Sequence, residues 1–357
     1  MPEPIAFFDG HNDFLLRLLE SGRPRDALWP GPSGDGHLDL DRMRQGGFAG
    51  GFFAIFVPPG PGDMEGDFET LMQATLSPPY DMPLPRLMDH VAAQPVALAM
   101  AGMLHWMARR VPEDFRICRS AAECREAMAA GAVAAIMHLE GAEAIGPDLD
   151  ALHLFHQMGL RSLGPVWSRP TIFGHGVPLS VPMDPDTGPG LTEAGKDLVR
   201  LCDELGILID LSHLNAAGMR DVAALSDRPL VATHSNAHAL TPSARNLTDD
   251  QLALIRERDG MVGLNFATVF LNPDGSGRQD CGWEPMLRHL DYLIEKLGED
   301  RVGLGSDFDG CRTPDVLGDV TGVPGLFERL AEHGYDDALL TKLARENWLA
   351  ALDRTIG

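Results

Sequence analysis

The sequence predicts a parallel (βα)8 barrel, and three observations carry that expectation. Apolar, often β-branched runs recur at residues 5–10, 50–57, 133–139, 161–166, 206–212, 230–234, 261–266 and 302–306. Helical patterns separate most of them, and strands alternating with helices in this way indicate a parallel barrel. Side chains of metal-ligand type (His11, Asp13, Glu140, His213 and His234) close or follow these runs, at the barrel end that carries active sites. A doubly wound sheet is the structural alternative. It would not bring ligands from the first, third, fifth and sixth strands to one point.

In chain order, the first run leads into "FFDGHNDF", where His11 and Asp13 stand two apart. On a strand that spacing points both side chains to one side, the barrel interior. The second run opens an irregular stretch, 58–115, with "PPGPGDMEGD" and "SPPYDMPLP" and then a helical pattern over 85–110. It reads as a long crossover beside the barrel. The third run ends in "IMHLEG" at Glu140, and the fourth leads into a Pro- and Gly-rich segment, 168–191, expected to form a substrate loop. The fifth, sixth and eighth runs end in "ILIDLSHL", "LVATHSN" and "VGLGSDFDG". Helices between them start at capping residues such as Thr192 and Thr248 and stop at glycines such as Gly206 and Gly260. The chain reads as one barrel domain over residues 1–357.

A hydrophobic content of 44% suits a large core, and a net charge of −23 argues against nucleic-acid binding. The five cysteines show no CxxC and no zinc-finger spacing, which fits a reducing compartment. The start "MPEPIAFFDGHND" has no basic n-region, no charge-free apolar run of 18 residues is expected, and "ALDRTIG" offers no hydrophobic tail. The expectation is a cytoplasmic enzyme without a membrane anchor, with a homodimer as one permitted assembly.

Two His-plus-carboxylate sets sharing one carboxylate can hold two divalent cations, so the default reading is a binuclear metallohydrolase. Glu140 closes a run so apolar that it must be paired or coordinate a cation. The only lysines, Lys196, Lys296 and Lys342, lie in helical patterns, so a carboxylated lysine cannot bridge the metals and Glu140 is the best-placed bridge. His213 and His234 would supply neutral imidazole to the second ion. His138 is expected to support the site from the core, and His238 is not expected to ligate. Asp307 can hold the attacking water and carry its proton to a leaving amine. Asp309 reads as a turn-stabilising residue before Gly310. Arg245 could clamp a substrate carboxylate.

The stretches "DGHND", "HLEG", "GLRSLGPVWS", "IDLSHL", "HSNAHAL", "RNLTDDQL", "GLGSDFDG" and "ENWLAAL" run in order from residue 9 to about 352. Together they resemble the membrane (renal) dipeptidase family of zinc metallopeptidases. The resemblance implies a distorted barrel of the amidohydrolase type, two zinc ions and hydrolysis of dipeptides. It implies that His11 and Asp13 bind one ion, His213 and His234 the other, and that Glu140 bridges. Arg245 then matches the family's substrate-carboxylate arginine and Asp307 its acid/base aspartate. One departure stands out. Family members commonly carry a substrate-contacting histidine in the fourth strand segment, where this chain has Trp167. Either the indole N–H takes over, or His175 reaches in from the following loop, or the substrate range has shifted.

On this reading a hydroxide shared by two zinc ions attacks the peptide carbonyl, and Asp307 moves the proton. Two rivals stand beside it: hydrolysis of a lactam, lactone or N-acyl amino acid at the same site, and a non-catalytic metal-binding protein.

Overall fold

The computed structural model describes residues 4–60 and 68–357, so part of the irregular "PPGPGDMEGD" stretch lies outside the described residues. The barrel strands are β1 (Phe7–Asn12), β2 (Phe48–Phe56), β3 (Val133–Glu140), β4 (Leu160–Gly164), β5 (Leu208–Ile209), β6 (Val231–Ala232), β7 (Met261–Leu264) and β8 (Val302–Leu304). They lie in the order β5-β4-β3-β2-β1-β8-β7-β6, with each neighbouring pair in that order parallel. A single bridge, Asp210 to Val231, joins the two ends and nearly closes the barrel. That order excludes the doubly wound alternative.

The barrel is distorted at β3. A short extra strand, Phe115–Ile117, pairs with its first half, and β4 pairs with its second half up to Glu140 opposite Gly164. A second irregularity sits in β1, whose register against β2 shifts between Asp9 and Asn12. A bulge there re-aims a side chain, and His11 is turned to the interior, stacked on His234 at 3.8 Å between ring centroids. Asp13 lies one residue beyond β1, at the cap of the helix Phe14–Glu20 rather than on the strand. The two-apart argument therefore needs correcting: the bulge and the strand end, not the pleat alone, bring both groups inward.

The helices follow the sequence pattern closely. Thr192 caps Glu193–Leu205, which ends at Gly206, and Thr248 forms a capping box on Asp249–Glu257. That last helix stops at Arg258, two residues before Gly260. The crossover contains the helices Phe68–Ala74 and His90–Arg110. The second corrects an expectation, because His90–Arg110 is long and apolar enough by length and composition to cross a membrane. In the fold, its Ala93, Ala97, Met100, Leu104 and Met107 are buried as part of the core around the barrel. Between these two helices, Tyr80–Asp81 pairs antiparallel with Ser180–Val181 of the expected substrate loop.

Inside the barrel, Trp348 is fully buried and packs with Phe8, Phe52, Ile136, Leu208 and Met261. Its indole N–H donates to the Leu304 carbonyl at 2.8 Å. The glycines Gly10, Gly263 and Gly305 all face the Thr233 carbonyl: an added Cβ would lie 2.2, 2.1 and 2.0 Å from that oxygen. Their lack of a side chain lets the β6 backbone enter the barrel and carry His234 to its centre.

Gly305→Ala should therefore lower the melting temperature by several degrees, since overpacking a tight interior costs about 1–3 kcal/mol. Thermal unfolding measures this directly. An unchanged midpoint would mean that the interior has room that these contacts deny.

Candidate metal centre

Glu140 is the point where the ligand-type side chains meet. Its Oε2 lies 3.5 Å from His11 Nε2, which is itself 3.3 Å from Asp13 Oδ2. Its Oε1 lies 3.1 Å from His213 Nε2 and 3.7 Å from His234 Nε2. Thus one carboxylate oxygen faces each of two donor sets. Within each of the sets His11–Asp13–Glu140 and Glu140–His213–His234, one donor atom per residue falls within 4.8 Å of the others.

The residues fit a divalent cation pair on two observations. Among the described residues, neither buried ring nitrogen of His11 has a hydrogen-bond partner. The Nε2 atoms of His213 and His234 converge to 3.2 Å, an approach that a shared cation accommodates. The charges agree. Burial pushes the Asp13 carboxyl well up and the Glu140 charge pushes it further, while His11 opposes the rise. Burial also works against Glu140, yet His11 and His213 hold it well below its ordinary value. Burial, then the Arg245 charge, drives His213 down to about 4, and burial takes His234 well below the usual histidine range. Both are neutral near pH 7, the form that ligates a metal. The three lysines make surface ion pairs, with Glu193, Asp249, and the Glu299–Asp300 pair respectively.

A supporting layer surrounds these groups. His213 Nδ1 is 3.2 Å from Ser168 Oγ, and His234 Nδ1 is 2.8 Å from Thr233 Oγ1. His138 faces inward as expected, with Nδ1 2.9 Å from Ser162 Oγ and Nε2 3.5 Å from Asp210 Oδ2. Asp210, passed over in the sequence, is buried at the heart of this layer. Its signal was available, since it closes the apolar "ILID" just as Glu140 closes its own run. Asp9 is likewise buried, taking the N–H and hydroxyl of Ser306 at 2.7 Å each.

Asp307 stands after β8 with φ of 60°, a left-handed backbone that aspartate tolerates better than most residues. Its Oδ2 accepts from Asn265 Nδ2 at 2.9 Å, and it comes close enough to His11 and His234 to form a third donor group with them. Asn265 carried no signal in the sequence. Asp309 differs from its expected role. Its Oδ1 accepts the His37 N–H at 2.6 Å and its Oδ2 lies 3.5 Å from Arg17 Nη1, so it ties a distant loop to the mouth instead of stabilising its own turn. His238 bonds the Met183 carbonyl through Nε2, away from the donor sets.

A cavity of about 670 Å³ opens over the donor groups and is lined by Glu140, His213, Asp307, Arg245 and Trp167, with Phe56 and Phe270 among its apolar walls. Arg245 is buried, donating to Ser235 Oγ and the His234 carbonyl at 2.8 Å each, while its Nε has no hydrogen-bond partner among the described residues. Among the described residues no carboxylate pairs with it within 4.0 Å. Burial brings its pKa down to about 10, against the pull of Asp307, Asp210 and Glu140. Trp167 sits 4.9 Å from the Phe56 ring and 5.9 Å from the His213 ring, centroid to centroid. His175 is outside the cavity lining.

The family model for membrane dipeptidases (peptidase family M19) matches residues 2–355. A dipeptidase crystal structure described as an M19 metallopeptidase is 60% identical, with a TM-score of 0.96 over 99% of this chain and 100% of its own. A Rhodobacter sphaeroides metallopeptidase, liganded with a phosphinate mimic of the dipeptide L-Ala-D-Ala, is also 60% identical at a TM-score of 0.96, covering 99% of each chain. An uncharacterised Acinetobacter calcoaceticus protein from the PQQ-III 3' region is 39% identical over 297 residues, 83% of this chain and 91% of its own.

Glu140→Gln should lower metal content at both positions, because a neutral amide cannot bridge two cations as a carboxylate does. Metal analysis after gel filtration tests this. Two tightly held ions per chain in the variant would reject the bridging role.

Proposed function

Because this chain belongs to the membrane dipeptidase family (peptidase family M19) and is a metallodipeptidase, we propose that it binds two zinc ions around Glu140 and hydrolyses dipeptides, including those with a D-residue at the C-terminal position. The observation that carries the substrate reading is Arg245, a buried guanidinium facing the same cavity as the ligand sets and paired with no described carboxylate. A free substrate carboxylate supplies the missing partner through charge-assisted hydrogen bonds. The L-Ala-D-Ala mimic held by the Rhodobacter relative supports tolerance of a D-residue. The free thiols of all five cysteines support a reducing compartment such as the cytoplasm.

His11 and Asp13 would hold one ion, His213 and His234 the other, with Glu140 between them. When bound, such ions polarise a carbonyl and lower the pKa of water toward neutrality. The chain's own residues do the rest. Arg245 anchors the carboxylate end and so sets the distance from that end to the scissile bond, which excludes longer peptides. Asp307 takes the proton of the attacking water and passes it to the leaving amine. Asn265 holds Asp307 Oδ2 at 2.9 Å, which steers that transfer to Oδ1. Trp167 lines the same cavity, and its indole N–H would be a donor for the substrate carbonyl. His175 is outside that cavity lining, which leaves Trp167 or a shifted substrate range to account for the missing histidine.

Asp307→Asn should reduce kcat by about 10²-fold or more while metal content stays intact, the range expected for a general acid–base group. Loss of an ion in this variant would make Asp307 a ligand instead, and near-normal turnover would place the proton carrier elsewhere.

Arg245→Met should reduce kcat/KM for dipeptides by roughly 30-fold or more, since an unpaired buried charge costs about 2–5 kcal/mol. A dipeptide amide should be a poor substrate for the unmodified enzyme and lose little further. Equal losses on acid and amide would mean that Arg245 supports the loop, not the substrate.

A further inference from the structure

We propose that Asp210, acting through the hydroxyl of Thr233, sets the tautomer of His234 and so decides whether that histidine can ligate a metal. Asp210 is then a positioning residue. The inference rests on the reading of His234 as a ligand.

Donors converge on the Asp210 carboxylate: Ser212 N at 3.0 Å, Ser212 Oγ at 2.7 Å and Thr233 N at 2.9 Å on Oδ1, and Thr233 Oγ1 at 2.6 Å on Oδ2. A hydroxyl has one proton to give. That of Thr233 goes to Asp210, so toward His234 Nδ1, 2.8 Å away, Thr233 Oγ1 can only accept. The hydrogen bond then requires the proton on Nδ1 and leaves Nε2 with its lone pair exposed. The backbone agrees, because His234 N donates to Ser212 Oγ at 3.1 Å, a hydroxyl whose own proton is also spent on Asp210.

The opposite tautomer has a competing reward. His234 Nε2 lies 3.7 Å from Glu140 Oε1 and 3.2 Å from His213 Nε2, where an Nε2–H would find an acceptor. The relay from Asp210 works against that tautomer and holds a bare nitrogen facing the donor set. Partners on the far ring nitrogen of a ligating histidine ordinarily fix its tautomer and strengthen it as a ligand. Here the carboxylate reaches that nitrogen through one intervening hydroxyl.

The atoms identify a clean variant. In Asp210→Asn the amide oxygen can keep the three bonds made to Oδ1, while Nδ2 replaces the oxygen facing Thr233. An amide nitrogen donates, so the Thr233 hydroxyl turns its proton away from position 210, toward His234 Nδ1 at 2.8 Å in preference to Ser212 Oγ at 3.3 Å. The tautomer with the proton on His234 Nε2 is then favoured, and the ring must give that proton up before it can ligate. Because Asp210 also makes the bridge that nearly closes the barrel, Thr233→Val serves as a second variant that leaves Asp210 in place, and Thr233→Ser is the rescue.

The test uses full-length protein with 15N-labelled histidine. Ring-nitrogen NMR of the metal-free protein reads the tautomer, and zinc competition against a chelator reads the affinity of each ion. The expected result is Nδ1–H at His234 in the unmodified chain and Nε2–H in Asp210→Asn. One ion should weaken by about 10–100-fold in Asp210→Asn and Thr233→Val, the other should be retained, and Thr233→Ser should restore the loss. Nε2–H in the unmodified chain, or unmodified affinity for both ions in Thr233→Val, overturns the proposal. His234→Ala separates this failure from that of the underlying reading. If it keeps both ions, His234 is not a ligand; if it loses one while Asp210→Asn and Thr233→Val lose none, only the relay is wrong.

Discussion

A buried carboxylate must be answered, and Glu140 is answered from several strands at once. Left alone in an apolar interior its charge would cost several kcal/mol, so partners have to be brought to it. The fold does so from the ends of β1, β5 and β6, placing His11 beside one oxygen and His213 and His234 beside the other, while Asp13 adds a second carboxylate on the far side of His11. The arrangement is acidic and histidine-rich in the same small volume. Asp13 and His11 are both pushed well above their ordinary values, by burial and Glu140 for the first and by the two carboxylates, against burial, for the second. Such a cluster calls for positive charge, which a bound metal would supply.

The barrel departs from regularity where this convergence requires it. A register shift turns His11 inward, glycines on β1, β7 and the end of β8 make room for the Thr233 carbonyl, and β5 meets β6 through one bridge at Asp210. The loops above complete the chemistry. Asn265 holds Asp307, Ser235 and the His234 carbonyl hold Arg245, and a fully buried Glu143–Arg169 pair ties the segment after β3 to the one that carries Trp167. Rigid strands place the donors, while the connected crossover and loop form part of the wall over them.

Much of this was legible in the sequence because burial leaves a mark on it. All eight apolar runs became barrel strands, and the acid and histidines that close them are in or just past the strand ends. Asp210 left the same mark and was overlooked, since "ILIDLSHL" offered a histidine to explain it. Asn265 left none, because a polar residue after a short strand reads as an ordinary loop. The helix His90–Arg110 shows the reverse error. Its polar groups are too sparse to distinguish a helix packed on a barrel from one able to cross a membrane, and only the packing of Ala97, Met100 and Leu104 tells them apart. The local turn around Asp309 says nothing of its partners, His37 and Arg17, which are far away in sequence.

The central claim is that one carboxylate joins two metal positions. Anomalous diffraction at the zinc edge, from crystals grown with zinc, tests it most directly. The account predicts two peaks about 3.5–4 Å apart, with one oxygen of Glu140 directed at each. A single peak, or two peaks of which Glu140 touches only one, would contradict it.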